Sequence, residues 1–247
     1  MRLKGKRIVI LGGTAGIGLA VAEGAAAEGA RVVVVSSREA RVAEALAKLP
    51  GAEGHAVDLR SEANVRELFA GLGALDHLVY TAGEELLLSP LAELDLTRAR
   101  DFFELRYWGA LAAVKSARPH LARDGSIVLT SGTAGLQPPR GFVIGAGICA
   151  AMEATARALA VELAPIRVNI VTPGFVDTGL WSNVPEAARR QMFADAAARL
   201  PLGRIGKPAD IAEHYLGFMR GAYVTGQSIV VDGGGVLVGS LYEHSHT

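Results

Sequence analysis

Three glycines near the N-terminus are the clearest chemical signal in the sequence. Gly12, Gly16 and Gly18 stand in the stretch GGTAGIG, between the apolar run Arg7–Leu11 and an alanine-rich run typical of a helix. Glycine lets the backbone approach a pyrophosphate closely, and the first turn of a helix offers unpaired N–H groups that bind anions. Glycines also form ordinary tight turns, and the Gly-x-x-x-Gly-x-Gly spacing differs from Gly-x-Gly-x-x-Gly. The order of strand, glycine turn and helix nevertheless predicts a dinucleotide-binding site.

The end of the next apolar run, VVVVSSREA, bears on which nicotinamide dinucleotide is bound. A carboxylate there would bind the ribose 2′-hydroxyl and repel a 2′-phosphate. This sequence instead has the neutral donors Ser36 and Ser37, followed by Arg38, which can pair with a phosphate. These residues favour NADP(H), unless Arg38 merely begins the solvated face of a helix. Farther on, Asp58 can accept a hydrogen bond from the adenine amine, or it can cap the end of a strand.

Short apolar runs alternate with helix-forming runs along the whole chain, and these elements must position the candidate residues. The predicted strands are Arg7–Leu11, Arg31–Val35, His55–Val57, His77–Thr81, Ser126–Thr130, Arg167–Val171 and Ser228–Val231. The predicted helices include Ile17–Ala27, Arg41–Lys48, Glu62–Ala70, Thr97–Leu121 and Ala146–Leu163. Nearly all-apolar strands that alternate with helices predict βαβ units and a parallel sheet. We therefore expect a doubly wound, Rossmann-like α/β fold with a seven-stranded parallel sheet, in one domain over residues 1–247.

A proline-rich region follows the sixth predicted strand. It contains Pro173, Pro185, Pro201 and Pro208, and the pattern predicts a helix over Pro185–Leu200. In an open α/β sheet, a long insertion after the carboxyl end of a strand is where a substrate lid lies. We therefore predict a lid over residues 178–200.

Composition excludes several classes of partner and site. The 25 basic and 25 acidic side chains balance, so nothing favours a nucleic acid, which would require a basic excess. The single cysteine, Cys149, excludes an internal disulfide and suits a reducing compartment. The apolar run Ile8–Leu11 is too short for a signal segment or a membrane span, and the histidines show no metal-ligand spacing that we would assign to a site. We expect a cytoplasmic protein with no metal, no nucleic-acid partner and no membrane contact.

The combined motifs resemble those of the short-chain dehydrogenase/reductase family over essentially the whole chain. The stretch GGTAGIG is similar to the family's cofactor loop, VDL to its adenine site and YTAG to its Asn-Asn-Ala-Gly turn, with Thr81 in place of an asparagine. The stretches IRVNIVTPGFVDTGL, GRIGKPADIA and YVTGQSIVVDGG resemble later signatures of the family. The resemblance implies a nicotinamide cofactor and adds the following residues to its site: Thr14, Ile17, Leu59, Thr81, Ala82, Gly83, Pro173, Gly174, Val176 and Thr178.

The catalytic positions that the resemblance implies are occupied by other residues. Family members use an asparagine, a serine, a tyrosine and a lysine four residues after the tyrosine. At the family's spacing these positions fall on Arg106, Gly132, Gly145 and Cys149. No shift of register restores the pair, because the sequence has no tyrosine between Tyr107 and Tyr215 and no lysine between Lys115 and Lys207. General acid–base catalysis contributes about 10²–10⁴ in rate, so ordinary ketone reduction should be slow.

Three other side chains could assist a substrate in part. Arg106 could neutralise an anionic substrate or a developing oxyanion, or it could pair with Glu104 or another acid or lie at a subunit contact. Ser131 stands one residue before the serine position, and one step along a strand turns its side chain to the other face. Thr133 could hold a substrate oxygen or stabilise the turn. We expect Cys149 to be a buried small residue, since no cation within a helical turn activates it.

Three functions are compatible with these observations. The leading hypothesis is an atypical NADP(H)-dependent reductase that acts on an activated small molecule, such as an enone, a quinone or an imine. The rival is a catalytically silent NADP(H)-binding sensor or scaffold protein. The third is a lyase, isomerase or dehydratase without net redox change. Small residues in the helix after Gly147 and the family resemblance also predict a homodimer or homotetramer.

Overall fold

A computed structural model describes residues 3–239 and shows one parallel seven-stranded sheet flanked by helices. The strands are β1 Arg7–Leu11, β2 Arg31–Ser36, β3 Glu53–Ala56, β4 Leu75–Tyr80, β5 Leu121–Thr130, β6 Arg167–Pro173 and β7 Ser228–Val231. The helices are α1 Gly16–Ala27, α2 Glu39–Lys48, α3 Glu62–Leu72, α4 Leu96–Phe103, α5 Gly109–Ala117, α6 Val143–Glu162, α7 Glu186–Arg199 and α8 Pro208–Arg220. The order of the strands across the sheet is β3-β2-β1-β4-β5-β6-β7. The predicted doubly wound α/β fold is confirmed.

Both faces of the sheet are covered because its central strands are apolar on both sides. Alternate residues of each strand enter two separate cores. Val9 and Leu11 of β1 pack with side chains of α3, α5 and α6, whereas Ile8 and Ile10 pack with side chains of α1, α2 and α8. All four of these β1 residues are fully buried. This division explains why β1 reads as a continuous apolar run.

The chain reverses its direction of winding between β1 and β4. Strands β1, β2 and β3 extend toward one edge, and β4 to β7 extend toward the other. Ligands of open α/β sheets bind at such a switch point, beside the carboxyl ends of the strands. Here that position brings together the loop after β1, which carries the three glycines, and the turn Thr81–Gly83 after β4.

The predicted helix Thr97–Leu121 is wrong in its extent and continuity. Helix α4 ends at Phe103, a π-helical turn covers Glu104–Trp108, and α5 ends at Ala117. Pro119 cannot lie in a helix interior because it lacks an N–H donor and its ring clashes with the preceding turn. Leu121 therefore begins β5, five residues before the predicted start of that strand.

Smaller corrections concern the ends of other elements. Strand β3 is Glu53–Ala56 instead of His55–Val57, and β4 ends at Tyr80, so that Thr81 follows the strand. Strand β3 lies at an edge of the sheet, where a polar residue such as Glu53 is tolerated and the apolar signal is weak. Helix α6 begins three residues before the predicted Ala146. Helix α8, which was not predicted as an element, packs against α1.

The segment 178–200 covers the loop after β4. Its buried Trp181 stacks on Phe175, with ring centroids 5.2 Å apart, and packs with Ala196 of α7. Two polar contacts join the segment to that loop. Ser182 donates to the Glu85 carboxylate at 2.8 Å, and the Asn183 amide donates to the carbonyl of Leu86 at 3.1 Å. This position agrees with what a substrate lid requires, and lid function stays a prediction.

Helix α6 is long and apolar enough to cross a bilayer by length and composition alone. Its buried stripe, which consists of Ile148, Met152, Ala156 and Ala160, belongs to the core under the sheet. The core helix of a globular protein has this same character, so the helix is weak support for a membrane span.

Candidate functional site

The N-terminus of α1 offers unpaired backbone donors. Ala15 precedes the helix without a side-chain cap, and the first turn contains no acidic residue. The amides of Gly16, Ile17 and Gly18 have no hydrogen-bond partner within residues 3–239. Unpaired N–H groups and the positive end of the helix dipole together attract an anion. The structure therefore places a phosphate-binding geometry where the glycine stretch predicted it.

The glycines of this loop are required by close backbone contacts. A Cβ at Gly12 would lie 2.6 Å from the Ala82 nitrogen, and its φ of +88° also favours glycine. A Cβ at Gly18 would lie 2.5 Å from Thr81 Oγ1 and would overlap the carbonyl of Gly12. Thr81 completes the contact, because both its amide and its hydroxyl donate to the carbonyl of Leu11. The loop after β1 and the turn after β4 thus form one compact wall.

The segment after β6 reaches the same wall from the other half of the chain. A Cβ at Gly16 would lie 3.4 Å from Thr178 Cβ, so Thr178 stands directly against the start of α1. Gly174 leaves room for Asp232, which a Cβ would meet at 2.5 Å, and Val176 pairs with Gly206 in a short parallel bridge. The Pro173–Thr178 segment therefore reaches the predicted cofactor site through Thr178. Thr14 is partly buried in the same loop.

The residues after β2 are exposed and carry a cation. Ser36 ends the strand, and Ser37 and Arg38 are both exposed, with no partner for the Arg38 side chain in the described part of the chain. Asp58 accepts the amide of Arg60 at 3.1 Å, which supports the capping interpretation of this carboxylate. Leu59 is 4% exposed and packs in the core, so it could contribute only backbone to an adenine site.

These features fit a phosphorylated dinucleotide. Within the described residues, the first amides of α1 have no acceptor and can bind an anion, and the loop glycines leave the backbone accessible. The exposed Arg38 lies at the end of β2, where a ribose would lie.

Comparison with known proteins then identifies the family. The family model described as enoyl-(acyl carrier protein) reductase matches residues 12–235. Short-chain dehydrogenase/reductase ATR9 of Stachybotrys chlorohalonatus is 38% identical over 251 residues, which cover 95% of this chain and 98% of that protein. The chain belongs to the short-chain dehydrogenase/reductase family.

Two solved structures of this family agree in fold. A small-chain dehydrogenase in complex with NADPH has a TM-score of 0.84 at 35% identity over 95% of this chain and 100% of that one. MalC reductase/Diels-Alderase from Malbranchea aurantiaca has a TM-score of 0.89 at 30% identity, over 96% of this chain and 98% of that one.

The short-chain dehydrogenase/reductase family contains oxidoreductases that use nicotinamide cofactors, which agrees with the site described above. Membership confirms the family resemblance, and the roles of the individual motifs stay predictions. Three of the four predicted catalytic positions lie after β5 or on α6, and the fourth, Arg106, lies in the π-helical turn before α5. A Cβ at Gly132 would lie 3.2 Å from the Cys149 sulfur, so these two positions face each other between β5 and α6. Gly145 is one turn earlier on α6, where a Cβ would meet only Phe142 within 4 Å.

The side chain of Ser131 is hydrogen-bonded to helix α6. Its hydroxyl donates to the carbonyl of Cys149 at 3.1 Å and to the carboxylate of Glu153 at 3.3 Å. Glu153 also accepts from Thr172 of β6 at 2.9 Å, so this carboxylate anchors α6 to the sheet. Ser131 therefore has a structural role. Thr133, in contrast, has no side-chain partner within residues 3–239, and it lines a small cavity with Gln137, Gly174, Phe175 and Asp232.

The described tyrosine hydroxyls are not free proton donors at the position of Gly145. Tyr80 donates to the carbonyl of Leu105, and burial raises the pKa of Tyr80 far above its ordinary value. Tyr215 is fully buried against Thr130, Tyr223 is fully exposed, and the Tyr107 hydroxyl accepts from Thr155 Oγ1 at 3.4 Å, ten residues beyond Gly145 on α6. Burial also raises the pKa of the Cys149 thiol, against an opposing effect of Arg106, so the thiol stays protonated and weakly nucleophilic.

Arg106 occupies the π-helical turn, and the structure tests one of its two alternative interpretations, pairing with an acid; a contact with a second subunit stays a prediction. Its guanidinium does not pair with Glu104 or with another carboxylate of residues 3–239, and the side chain is partly buried beneath the turn after β4. It donates from Nη2 to the carbonyl of Glu84 and stacks on Phe102, 4.5 Å from the ring centroid. Sequence reasoning missed Phe102. The signal was present, since the two residues are four apart on a helical run.

Proposed function

We propose that the protein is an NADP(H)-dependent reductase of an activated small molecule, and that its side chains bind and orient the substrate without supplying a phenolic proton. The observation that carries the proposal is the uncapped start of α1, packed against Thr81 and Ala82, together with the unpaired Arg38 at the end of β2. The NADPH complex of a 35% identical relative supports the choice of cofactor. The name of the Malbranchea protein as a reductase supports the reaction class.

Each part of the site has a definite task in this proposal. The amides of Gly16, Ile17 and Gly18 bind the pyrophosphate, and Arg38 pairs with the 2′-phosphate. When bound, the reduced nicotinamide supplies a hydride, which carries two electrons, so the substrate takes one further proton from water to complete its reduction. Thr133 has a free hydroxyl that can orient the substrate or that water. Trp181 and the rest of the segment 178–200 limit access of solvent from above the turn after β4.

The absence of a phenol at residue 145 restricts the substrate. A simple ketone must receive its proton as the hydride arrives, because an alkoxide is strongly basic. A conjugated or cationic acceptor tolerates delayed protonation, because the product of hydride addition is delocalised or neutral. The proposal therefore names enones, quinones and imines as the substrate classes and excludes unactivated ketones as good substrates.

A fluorescence titration with NADPH and with NADH tests the cofactor proposal. We expect tighter binding of NADPH, and Arg38→Glu should lower NADPH affinity by about tenfold or more, since a charge-assisted phosphate contact contributes about 1.5–3 kcal/mol. Arg41→Glu, which changes an exposed arginine of α2, is the matched control. Preferential NADH binding by the wild-type protein would refute the choice of NADP(H).

A turnover assay separates the reductase from the sensor alternative. NADPH oxidation is followed by absorbance with a panel of enones, quinones, imines and simple ketones. Tight NADPH binding with no turnover on any acceptor would favour the silent sensor. Consumption of simple ketones at ordinary enzymatic rates would show that a proton donor exists after all.

A further inference from the structure

Arg106 lies directly behind the predicted cofactor turn, between a bare backbone and an aromatic ring. A Cβ on Gly83 would approach Arg106 Nη1 to 2.8 Å and Cζ to 2.9 Å, so only glycine at residue 83 leaves room for the guanidinium. The ring of Phe102 covers the opposite face, 4.5 Å from Cζ. The guanidinium is therefore fixed in position, and its edge carries the remaining N–H donors.

The guanidinium of Arg106 forms no direct ion pair within the described residues, although the more distant Glu84 carboxylate favours its charge. No carboxylate of residues 3–239 lies within ion-pair distance, and the Glu84 carboxylate is instead paired with Arg60. In the part of the chain that the structure describes, only Nη2 has a hydrogen-bond partner, and Nε is fully enclosed without one. Arginine remains protonated in proteins, and an uncompensated charge away from water is strongly destabilising. A side chain held in this way is expected to serve an anionic group that binds next to it.

The same guanidinium acts electrostatically on one of the predicted catalytic positions. Arg106 lowers the pKa of Cys149 against the effect of burial, which places the cation within electrostatic range of that thiol. Gly132 stands beside the sulfur and contributes no side chain. Arg106 thus lies directly against the turn Thr81–Gly83, and its charge reaches the position of Cys149 on α6.

We propose that Arg106 binds the oxygen on which negative charge develops during reduction, so that the site selects enones and quinones over iminium ions. This inference rests on the proposed reductase function and narrows its substrate class. Hydride addition to an enone or a quinone forms one C–H bond and moves a π-electron pair onto the carbonyl oxygen, and water then protonates the resulting anion. An iminium ion is already cationic, so a fixed guanidinium repels it, and hydride addition leaves no charge to stabilise.

A binding measurement with 4-nitrophenol tests the anion site without any turnover. This phenol absorbs visible light only as its phenolate, so absorbance reports ionisation of the bound probe. With and without NADP⁺, the wild-type protein should favour bound phenolate and lower the pKa of the probe by about one unit, a tenfold preference. Arg106→Met should abolish the shift and Arg106→Lys should retain part of it. Arg100→Met, which removes an exposed cation of α4, should leave it unchanged.

Two reductions then test whether Arg106 selects quinones over iminium ions. With saturating NADPH, Arg106→Met should lower kcat for menadione by about 10²–10³, the usual effect of removing an oxyanion donor. Reduction of 3,4-dihydroisoquinoline, which reacts as its iminium ion, should be unchanged or faster. Equal losses on both acceptors, or a phenolate shift that persists in Arg106→Met, would overturn the inference.

Folding and cofactor binding are controlled in the same variants. Circular dichroism and an NADPH titration of Arg106→Met should match the wild type, because replacing an unpaired buried charge by an apolar side chain is often neutral or stabilising. If the wild-type protein bound no NADPH, the proposed function would fail. The phenolate shift of the cofactor-free protein would still decide whether Arg106 is an anion site.

Discussion

Gly83 and Arg106 compete for the same volume: a Cβ on residue 83 would lie 2.8 Å from Nη1 of the arginine. Gly83 is the last residue of the turn that faces the predicted cofactor, and Arg106 is the residue at the asparagine position of the family resemblance. A side chain at residue 83 would therefore displace the guanidinium. This contact joins the cofactor turn to the cation that we propose as the oxyanion-binding group.

Gly83→Ala should destabilise the fold through this contact alone, because the φ of Gly83 is not in the left-handed region. We expect a loss of about 1–3 kcal/mol in the free energy of unfolding, the usual effect of overpacking. In an Arg106→Met background the loss should be smaller by about 0.5 kcal/mol or more, which urea denaturation of the four proteins measures. Gly71→Ala, at a helical glycine with no atom within 4 Å of the new Cβ, should be neutral or stabilising. Strict additivity of the two substitutions would contradict the contact.

The topology was predictable because its signals are local. Strands such as β1 are buried on both faces and appear as unbroken apolar runs, and glycines 12, 16 and 18 stand between such a strand and a helix. The boundaries of the edge strand β3 were less predictable, because β3 begins with the charged Glu53 instead of an apolar residue. Pro119 carried the signal that ends α5, and the prediction of one continuous helix over this region overlooked it.

The environment of Arg106 could not be predicted from the sequence, although the residue itself could be named. Its surroundings depend on a π-helical turn, on the bare backbone of Gly83 and on the pairing of Glu84 with Arg60. Each of these joins residues that are distant in sequence or depends on a wider turn that has no signature in residue type. The commitment of Ser131 to α6 could be anticipated, since one step along a strand reverses the direction of a side chain.

Gly18→Ala should weaken cofactor binding, because the new Cβ would clash with the backbone of Gly12 and the hydroxyl of Thr81. It would overlap the carbonyl of Gly12 and lie 2.5 Å from Thr81 Oγ1, and neither group can move without breaking a strand-end contact. We expect NADPH affinity to fall by more than about tenfold, with a loss of about 1–3 kcal/mol in the free energy of unfolding. Gly217→Ala in α8 introduces a Cβ with no neighbour within 4 Å and should stabilise the helix by up to about 1 kcal/mol. Unchanged NADPH affinity in Gly18→Ala would show that the loop does not bind the cofactor.

His77 should make the stability of the fold depend on pH. The ring is buried and bonded to Ser126 at 2.8 Å, and burial lowers the pKa of His77 from 6.5 to about 4, against an opposing effect of Asp76. Because the folded state holds the neutral ring, the stabilisation is complete above pH 6.5. As the pH falls from 6.5 toward 4, the unfolded chain gains the proton first and about 3 kcal/mol is lost.

Urea denaturation at pH 7 and pH 4.5 measures this effect. His77→Gln, which cannot titrate, should lose markedly less stability between the two pH values than the wild type does. His55→Gln replaces a histidine whose ring contacts the exposed Glu53 and serves as the control. An identical pH dependence in the wild type and in His77→Gln would show that other groups determine acid stability.

The exposed side of α6 should form a contact between two copies of the chain. Ile148, Met152, Ala156 and Ala160 face the sheet, and the other side presents Ala150, Ala154 and Ala158 with Val161, which is 82% exposed. Small side chains permit close approach of two helices, and covering this apolar face removes it from water. We expect a homodimer or homotetramer in light scattering coupled to size exclusion.

Ala154→Glu places a carboxylate in the middle of the face and should shift the protein toward monomer, because an unpaired charge at the centre of an interface is strongly unfavourable. Ala63→Glu, at an exposed position of α3, should leave the assembly intact. A wild-type protein that is monomeric at high concentration would show that this face has no partner copy.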